Sequence, residues 1–265
     1  MRDDLSAIFV EAGERDPVKA ARQDFRRPPP KKFYGHVGVE ARDGGFALTL
    51  DGKPVLTPAR APLIAPTHAL AEAMAAEWRR QGEFIDPADM PVTRTVNSAL
   101  DGVSRAMQAT AAEIVKFAGS DLICYRAGEP ESLVAAQNAA WNPVLAYFRE
   151  VFRAPFLCAE GVMFVAQPAE ALASIEQRVT HEAQKPDGAL RLAALHVMTT
   201  LTGSALIALA LIEGALSLDA AWAAAHVDED HQWRLWGRDE EAFSRRAARF
   251  NDMRAAYELY AALQG

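Results

Sequence analysis

The residues best equipped for chemistry in this 265-residue chain are six histidines, two cysteines and a late run of carboxylates. The densest group is His226-Val227-Asp228-Glu229-Asp230-His231. Imidazoles and carboxylates can ligate metals. On a helix, however, His226 and Asp230 share a face while His231 points elsewhere. No HExxH pair, which would set two histidines and a base on one helix face, occurs in the chain. The spacing favours a solvated acidic helix over a metal centre. Cys124 has the most suggestive thiol neighbours, Asp121, Tyr125 and Arg126, because an adjacent guanidinium would lower its pKa and make it a nucleophile. Cys124 and Cys158 form neither a CxxC nor a zinc pattern and lie in apolar contexts, so buried free thiols are expected rather than a disulfide. Thr202-Gly203-Ser204 lacks the nucleophile-elbow pattern, and no phosphate-cradling glycine loop is present. An enzyme built on Cys124 or on the His226–His231 cluster is therefore the weaker reading, and no cofactor is expected.

Recognition is the better use of the segment Trp236-Gly237-Arg238-Asp239-Glu240. Tryptophans are large anchors, and a glycine ends a helix or lets a backbone approach closely. On a continuous helix from about Ser217 to Trp236, the residues Trp222, Ala225, Glu229, Trp233 and Trp236 fall on about one face. Glu229 would interrupt that apolar stripe, so it must reach the edge, be paired, or meet a partner. The plain alternative puts Trp233 and Trp236 in the core and lets Glu240 cap the next helix.

Composition narrows the classes. Half the residues are apolar, so the chain is globular. Its length suits one large domain, or one small and one large. A net charge of -7 argues against a nucleic-acid binder and against an anionic membrane surface, and permits a basic protein partner. Leu192 to Ile212 holds no Asp, Glu, Lys or Arg, long enough to span a bilayer. His196, Thr199, Thr200, Thr202, Gly203 and Ser204 within it, with no aromatic belt, favour a buried helix or two short helices meeting near Gly203. The acidic start (Asp3, Asp4, Glu11, Glu14) does not suit a transit peptide.

The elements that must position these residues follow from periodicity. Residues 1–32 read as a flexible extension, with a helical turn at Leu5, Ile8 and Phe9, ending in the basic, proline-rich linker Arg26 to Lys32. In 33–91, Phe46, Leu48 and Leu50 alternate, Asp51-Gly52 signals a hairpin, and Leu63-Ile64 could add a fourth strand. Thr67 caps a covering helix carrying Leu70, Met74 and Trp78, closed by Gly82, and 83–91 connects to the rest. Residues 92–265 read as helices: a stripe ending at Phe117 and Gly119, a long helix after Glu129-Pro130 with Gln137 and Trp141, another after Pro168, and a last one from about Glu240. Phe156 to Val165 reads as an extended excursion. The fold class is α+β: a small antiparallel β-rich domain with a covering helix, then a larger all-helical domain.

An ordered series of short matches covers nearly all the chain after residue 32. It includes Lys32-Phe33-Tyr34, Leu50-Asp51-Gly52-Lys53-Pro54-Val55, Ala76-Glu77-Trp78, Gln81-Gly82 and Ile85-Asp86-Pro87. It continues through Met90-Pro91-Val92-Thr93-Arg94, Asn97, Asp101-Gly102-Val103, Asp121-Leu122-Ile123-Cys124-Tyr125-Arg126, Gln137 and Trp141-Asn142-Pro143. Gln232 and Trp236-Gly237 with Glu240 close it. In this series the chain resembles the ATP12 chaperone family, assembly chaperones of the ATP synthase catalytic head. The resemblance implies a non-enzymatic chaperone that binds the free α subunit and shields its β-facing apolar surface without ATP hydrolysis. It implies partner contacts at Glu240, Trp236, Gly237, Gln232, Trp233 and Glu229, with Glu240 in the position of the family's important glutamate. It also implies a bacterial, cytoplasmic member, whereas eukaryotic relatives would be mitochondrial. His231, where eukaryotic members usually carry tyrosine, and Ala242-Phe243, less aromatic than usual, are departures. A helical interaction protein with another partner is the remaining alternative.

Overall fold

The computed structural model describes residues 30–264, which divide into two compact units: 30–105 with 261–264, and 106–260. The extension through residue 29, with its expected helical turn, lies outside the described residues.

In the first unit, alternation produces the expected antiparallel sheet. Strand β1 (Val37–Arg42) pairs with β2 (Gly45–Leu50) from Val37↔Leu50 to Arg42↔Gly45. Asp51 and Gly52 both adopt positive φ, the geometry of the tight hairpin turn, and lead into β3 (Lys53–Pro54). The fourth strand, β4 (Ile64–Ala65), also pairs with β2. Gly45 is required there: a Cβ would lie 2.2 Å from the carbonyl oxygen of Ala65. The covering helix α1 (His68–Arg80) starts on Thr67, whose side chain accepts a hydrogen bond from the Leu70 amide, and it buries Leu70, Met74 and Trp78 completely. It ends two residues before Gly82, with Gln81 as its C-cap.

Helix α2 (Pro91–Asp101), expected to open the helical domain, groups with this first unit. A buried carboxylate fastens it. Glu77 on α1 accepts hydrogen bonds from the amides of Val92 and Thr93 at 2.7 and 2.8 Å, satisfying donors at the start of α2. Burial pushes the Glu77 pKa up, against the hydrogen bonds from Thr93 and Val92. Asp101, at the other end of α2, holds Thr57 and the Ala59 amide. The end of the expected linker is tied down too. The Lys32 amide donates to Glu83 O and the Ile85 amide to Pro30 O, both at 2.8 Å.

The second unit holds α3 (Met107–Gly119), β5 (Tyr125–Arg126), α4 (Glu131–Val151), β6 (Ala159–Glu160), α5 (Ala169–Gln184), α6 (Gly188–Thr202), α7 (Ala205–Ile212), α8 (Leu218–Ala225), α9 (Val227–Trp236) and α10 (Glu240–Ala262), the last up to residue 260. The long uncharged run is two helices, α6 and α7, turning at Gly203 with φ 67°. No helix among the described residues is long and apolar enough to cross a membrane. Helix α3 packs on α5 and α6, and α6 on α7.

Two buried carboxylates organise this unit. Asp121 accepts hydrogen bonds from the amides of Ile123 and Leu206, closing the start of α7. Burial pushes its pKa up to about 6. Glu182 on α5 is completely buried and meets Arg178, Lys185, Arg191 and the Tyr260 hydroxyl. Burial alone would raise its pKa, but hydrogen bonds from Lys185, Tyr260 and Arg178 outweigh it and hold the carboxyl below its usual range.

Candidate protein-recognition site

The structure places each of the side chains considered for chemistry. Cys124 is fully buried, and its thiol pKa is pushed up by burial, with Asp121 and Cys158 adding to the effect and Arg126 only opposing it. This is the buried thiol that was expected, and the reverse of the activation an adjacent guanidinium could have given. The Arg126 guanidinium is engaged elsewhere, donating to Ile123 O, Asn138 Oδ1 and Asn142 Oδ1 and lying over the Trp141 ring. Cys158, expected to be buried, is exposed. The two clustered histidines are not on a solvated face: both are buried. Among the described residues no group of three or more His, Cys, Asp or Glu could hold a metal ion.

His226 instead marks a break. The single helix expected from Ser217 to Trp236 is two helices, α8 and α9, with His226 between them at φ -123° and ψ 21°. The ring of His226 lies against Trp222, centroids 4.0 Å apart and tilted by 44°, and its Nδ1 lies 2.8 Å from Trp222 O. Burial lowers its pKa first, and Arg246 and Arg249 lower it further. The break dissolves the expected stripe. Trp222 is 8 % exposed, whereas Trp236 is 78 % exposed.

Helix α4 holds this junction by three side chains. Trp141 Nε1 donates to Ala224 O at 2.7 Å, Gln137 Nε2 donates to Asp228 Oδ1 at 2.8 Å, and Ser132 Oγ lies 2.9 Å from His231 Nε2. Successive bonds therefore fasten the end of α8, the first turn of α9 and its middle. Beyond His231, α9 runs free of this support.

There the predicted contact residues gather. Gly237 ends α9 with φ 86° and ψ 170°, a conformation that glycine alone adopts easily. A Cβ at Gly237 would meet nothing within 4 Å, so the glycine serves the turn and not a close approach. Asp239 Oδ1 accepts from the Ala242 amide at 2.7 Å and so caps α10. Glu240, the alternative capping residue, is the first residue of that helix, with a side chain 76 % exposed. Arg238 donates to Glu240 Oε1 at 2.9 Å and covers the Phe243 ring at 3.9 Å. Arg246 lies over Trp233 at 4.8 Å and pairs with Asp230 at 2.5 Å. Glu229, which puzzled the stripe, is exposed at the surface, 3.8 Å from Arg246. Gln232 is exposed.

Three residues absent from the sequence-based set complete the corner. Leu235, next to Trp236, is exposed, Phe243 is exposed with its ring 6.1 Å from that of Trp233, and Arg246 braces Trp233. The adjacent pair Leu235-Trp236 at a helix end was the available signal, since one of two neighbours on a helix must leave a narrow core stripe. Phe243 and Arg246 approach Trp233 only because the chain folds back at Gly237.

Large apolar side chains held at a charged, braced corner are the features of a protein-binding surface. The molecule is an α+β protein whose helical unit displays an exposed apolar corner. Residues 31–149 match the model of the ATP12 chaperone protein. The chain is 48 % identical to Atu1473 of Agrobacterium tumefaciens, described as a candidate chaperone, over 98 % of this chain and 95 % of that one, with a TM-score of 0.85. It is 38 % identical to Atp12 from Paracoccus denitrificans over 88 % of this chain and 98 % of that one, with a TM-score of 0.79, and a point mutant of that protein matches equally well. The chain belongs to the ATP12 chaperone family, and by that membership it is a chaperone of ATP synthase assembly.

Proposed function

We propose that this chain binds the newly made, free α subunit of the ATP synthase catalytic head and covers the apolar surface meant for its β neighbour. An exposed face of that kind aggregates, and covering it reversibly needs surface complementarity, not ATP hydrolysis. The observation that carries the reading is the corner itself: Leu235, Trp236 and Phe243 are exposed, with Glu240 beside them. Aromatic anchors would enter the apolar face, and Glu240 would exchange its intrachain partner Arg238 for a basic residue of the α subunit. Trp236, Gly237, Trp233, Gln232 and Glu229 form or border this contact. The work is done in a bacterial cytoplasm, where no cofactor is required.

The test is direct. The purified chain, without nucleotide, should form a complex with isolated α subunit and suppress its aggregation, and added β subunit should displace it. Absence of any complex with the wild-type chain removes the α-subunit reading. A complex that survives Trp236→Ala and Glu240→Lys undiminished moves the contact to another surface.

A further inference from the structure

Strands β5 and β6 run parallel, with Tyr125 opposite Ala159 and Arg126 opposite Glu160. The Gly161 amide extends the ladder by donating to Arg126 O at 2.8 Å. Cys124, the last residue of the 3-10 turn Leu122–Cys124, immediately precedes β5, and Cys158 immediately precedes β6, so the two cysteines enter neighbouring strands side by side. Neighbouring strands lie ~4.8 Å apart. A disulfide needs Cα atoms about 4.4–6.8 Å apart, so this placement suits one. Both cysteines are free thiols, Cys124 buried and Cys158 exposed. The two side chains are close enough for Cys158 to act on the Cys124 thiol electrostatically.

We propose that Cys124 and Cys158 are a redox-switchable pair that closes to an intramolecular disulfide in the presence of a peroxide. The exposed member reacts first. The Cys158 thiolate attacks one peroxide oxygen, the O–O bond breaks, and the departing oxygen takes a proton to leave as water, which makes Cys158 a sulfenic acid. The Cys124 sulfur then attacks the Cys158 sulfur. The S–S bond forms, the S–O bond breaks, and the departing hydroxide carries away the Cys124 proton as a second water. The two thiols together lose two electrons and two protons, and one peroxide becomes two waters. Burial assigns Cys124 the second role, because it shields this thiol from direct contact with peroxide while Cys158 is exposed to it. The link would fasten the base of the segment between α4 and α5, whose tip exposes Val162, Met163 and Phe164.

Hydrogen peroxide applied to the folded, full-length chain tests this, with the sample then denatured and labelled with a maleimide. The expected product is a monomer lighter by two hydrogens, with no label, whose non-reduced digest contains one peptide joining Cys124 to Cys158. A dithiol reductant should restore two labelled cysteines. Cys124→Ser should abolish the internal link and leave Cys158 as a higher oxide or a covalent dimer. Cys158→Ser should leave Cys124 a thiol at the same peroxide dose. Wild-type protein in which Cys158 becomes a sulfinic acid or joins two chains, while Cys124 still takes the label, overturns the proposal. So does a link that forms only after denaturation.

Discussion

The two halves of α9 make different use of similar residues. Its first half is fastened to α4 by Gln137 and Ser132, with Trp141 holding the end of α8 just before it. Its second half ends in Leu235 and Trp236, exposed and followed by the turn at Gly237. Trp222 and Trp236 look equivalent in sequence, yet one packs against His226 and Phe250 while the other faces solvent. A fixed base lets the exposed end stay aimed, so that little ordering cost falls on binding. Stability and recognition should therefore be separable along a single helix.

The largest expected effect lies in the fixed half. Trp141→Ala removes a buried ring and leaves Ala224 O without its donor, and should lower the unfolding free energy by roughly 3–5 kcal/mol. Denaturant titration would show it, and the folded fraction should still bind the α subunit. Loss of binding without loss of stability would erase the division. In the exposed half the opposite is expected. Trp236→Ala should weaken the α-subunit complex by about 2 kcal/mol or more, yet change stability by no more than about 0.5 kcal/mol. Calorimetric titration and thermal melting on the same sample decide between the halves.

Glu240→Lys should have a smaller effect, roughly 1 kcal/mol of affinity, because the group is at an exposed rim where water and salt screen it. The loss should appear mainly in the association rate and shrink as salt is added. A lowered melting point with unchanged affinity would make Glu240 a helix-end residue only, acting through the α10 dipole.

The smallest effect concerns pH at the base of α9. His226 has its pKa depressed in the folded protein, so folding favours the neutral ring. Between the lowered folded value and the ordinary value near ~6.5, the unfolded chain binds more protons. The His226 contribution to stability is thus complete above ~6.5 and declines as the pH falls through that window. Asp121 works in the other direction, because its pKa is raised to about 6 and protonation favours the folded state. Comparing wild type with His226→Gln at each pH cancels the Asp121 part. The stability advantage of the wild type should diminish below about pH 6.5, and an advantage that grows on acidification would reverse the assigned sign.

Much of the architecture was legible because it follows from local rules. The alternation in 45–50, the Asp51-Gly52 turn and the Thr67 cap each depend on neighbours a few residues away, whereas the apolar run left one helix or two open until the structure turned it at Gly203. The ordered motifs also marked the family, although many of them turn out to be structural. Glu77 caps α2, Asp121 caps α7, and Gln137 and Trp141 secure the α8–α9 junction.

What the sequence by itself determined was the α+β class, the order of elements and the aromatic segment around Gly237, because periodicity, turn chemistry and motif spacing are written along the chain. Tertiary structure alone decided that Glu77 serves a helix fifteen residues away, that the histidine cluster is buried, that Arg126 turns from Cys124 toward α4, and that Trp236 faces solvent while Trp222 does not. The physical reason is that burial and hydrogen-bond partnership depend on which surfaces meet after folding. A helical stripe can be drawn through His226, but only packing against α4 shows that the helix breaks there and sends its last turn outward.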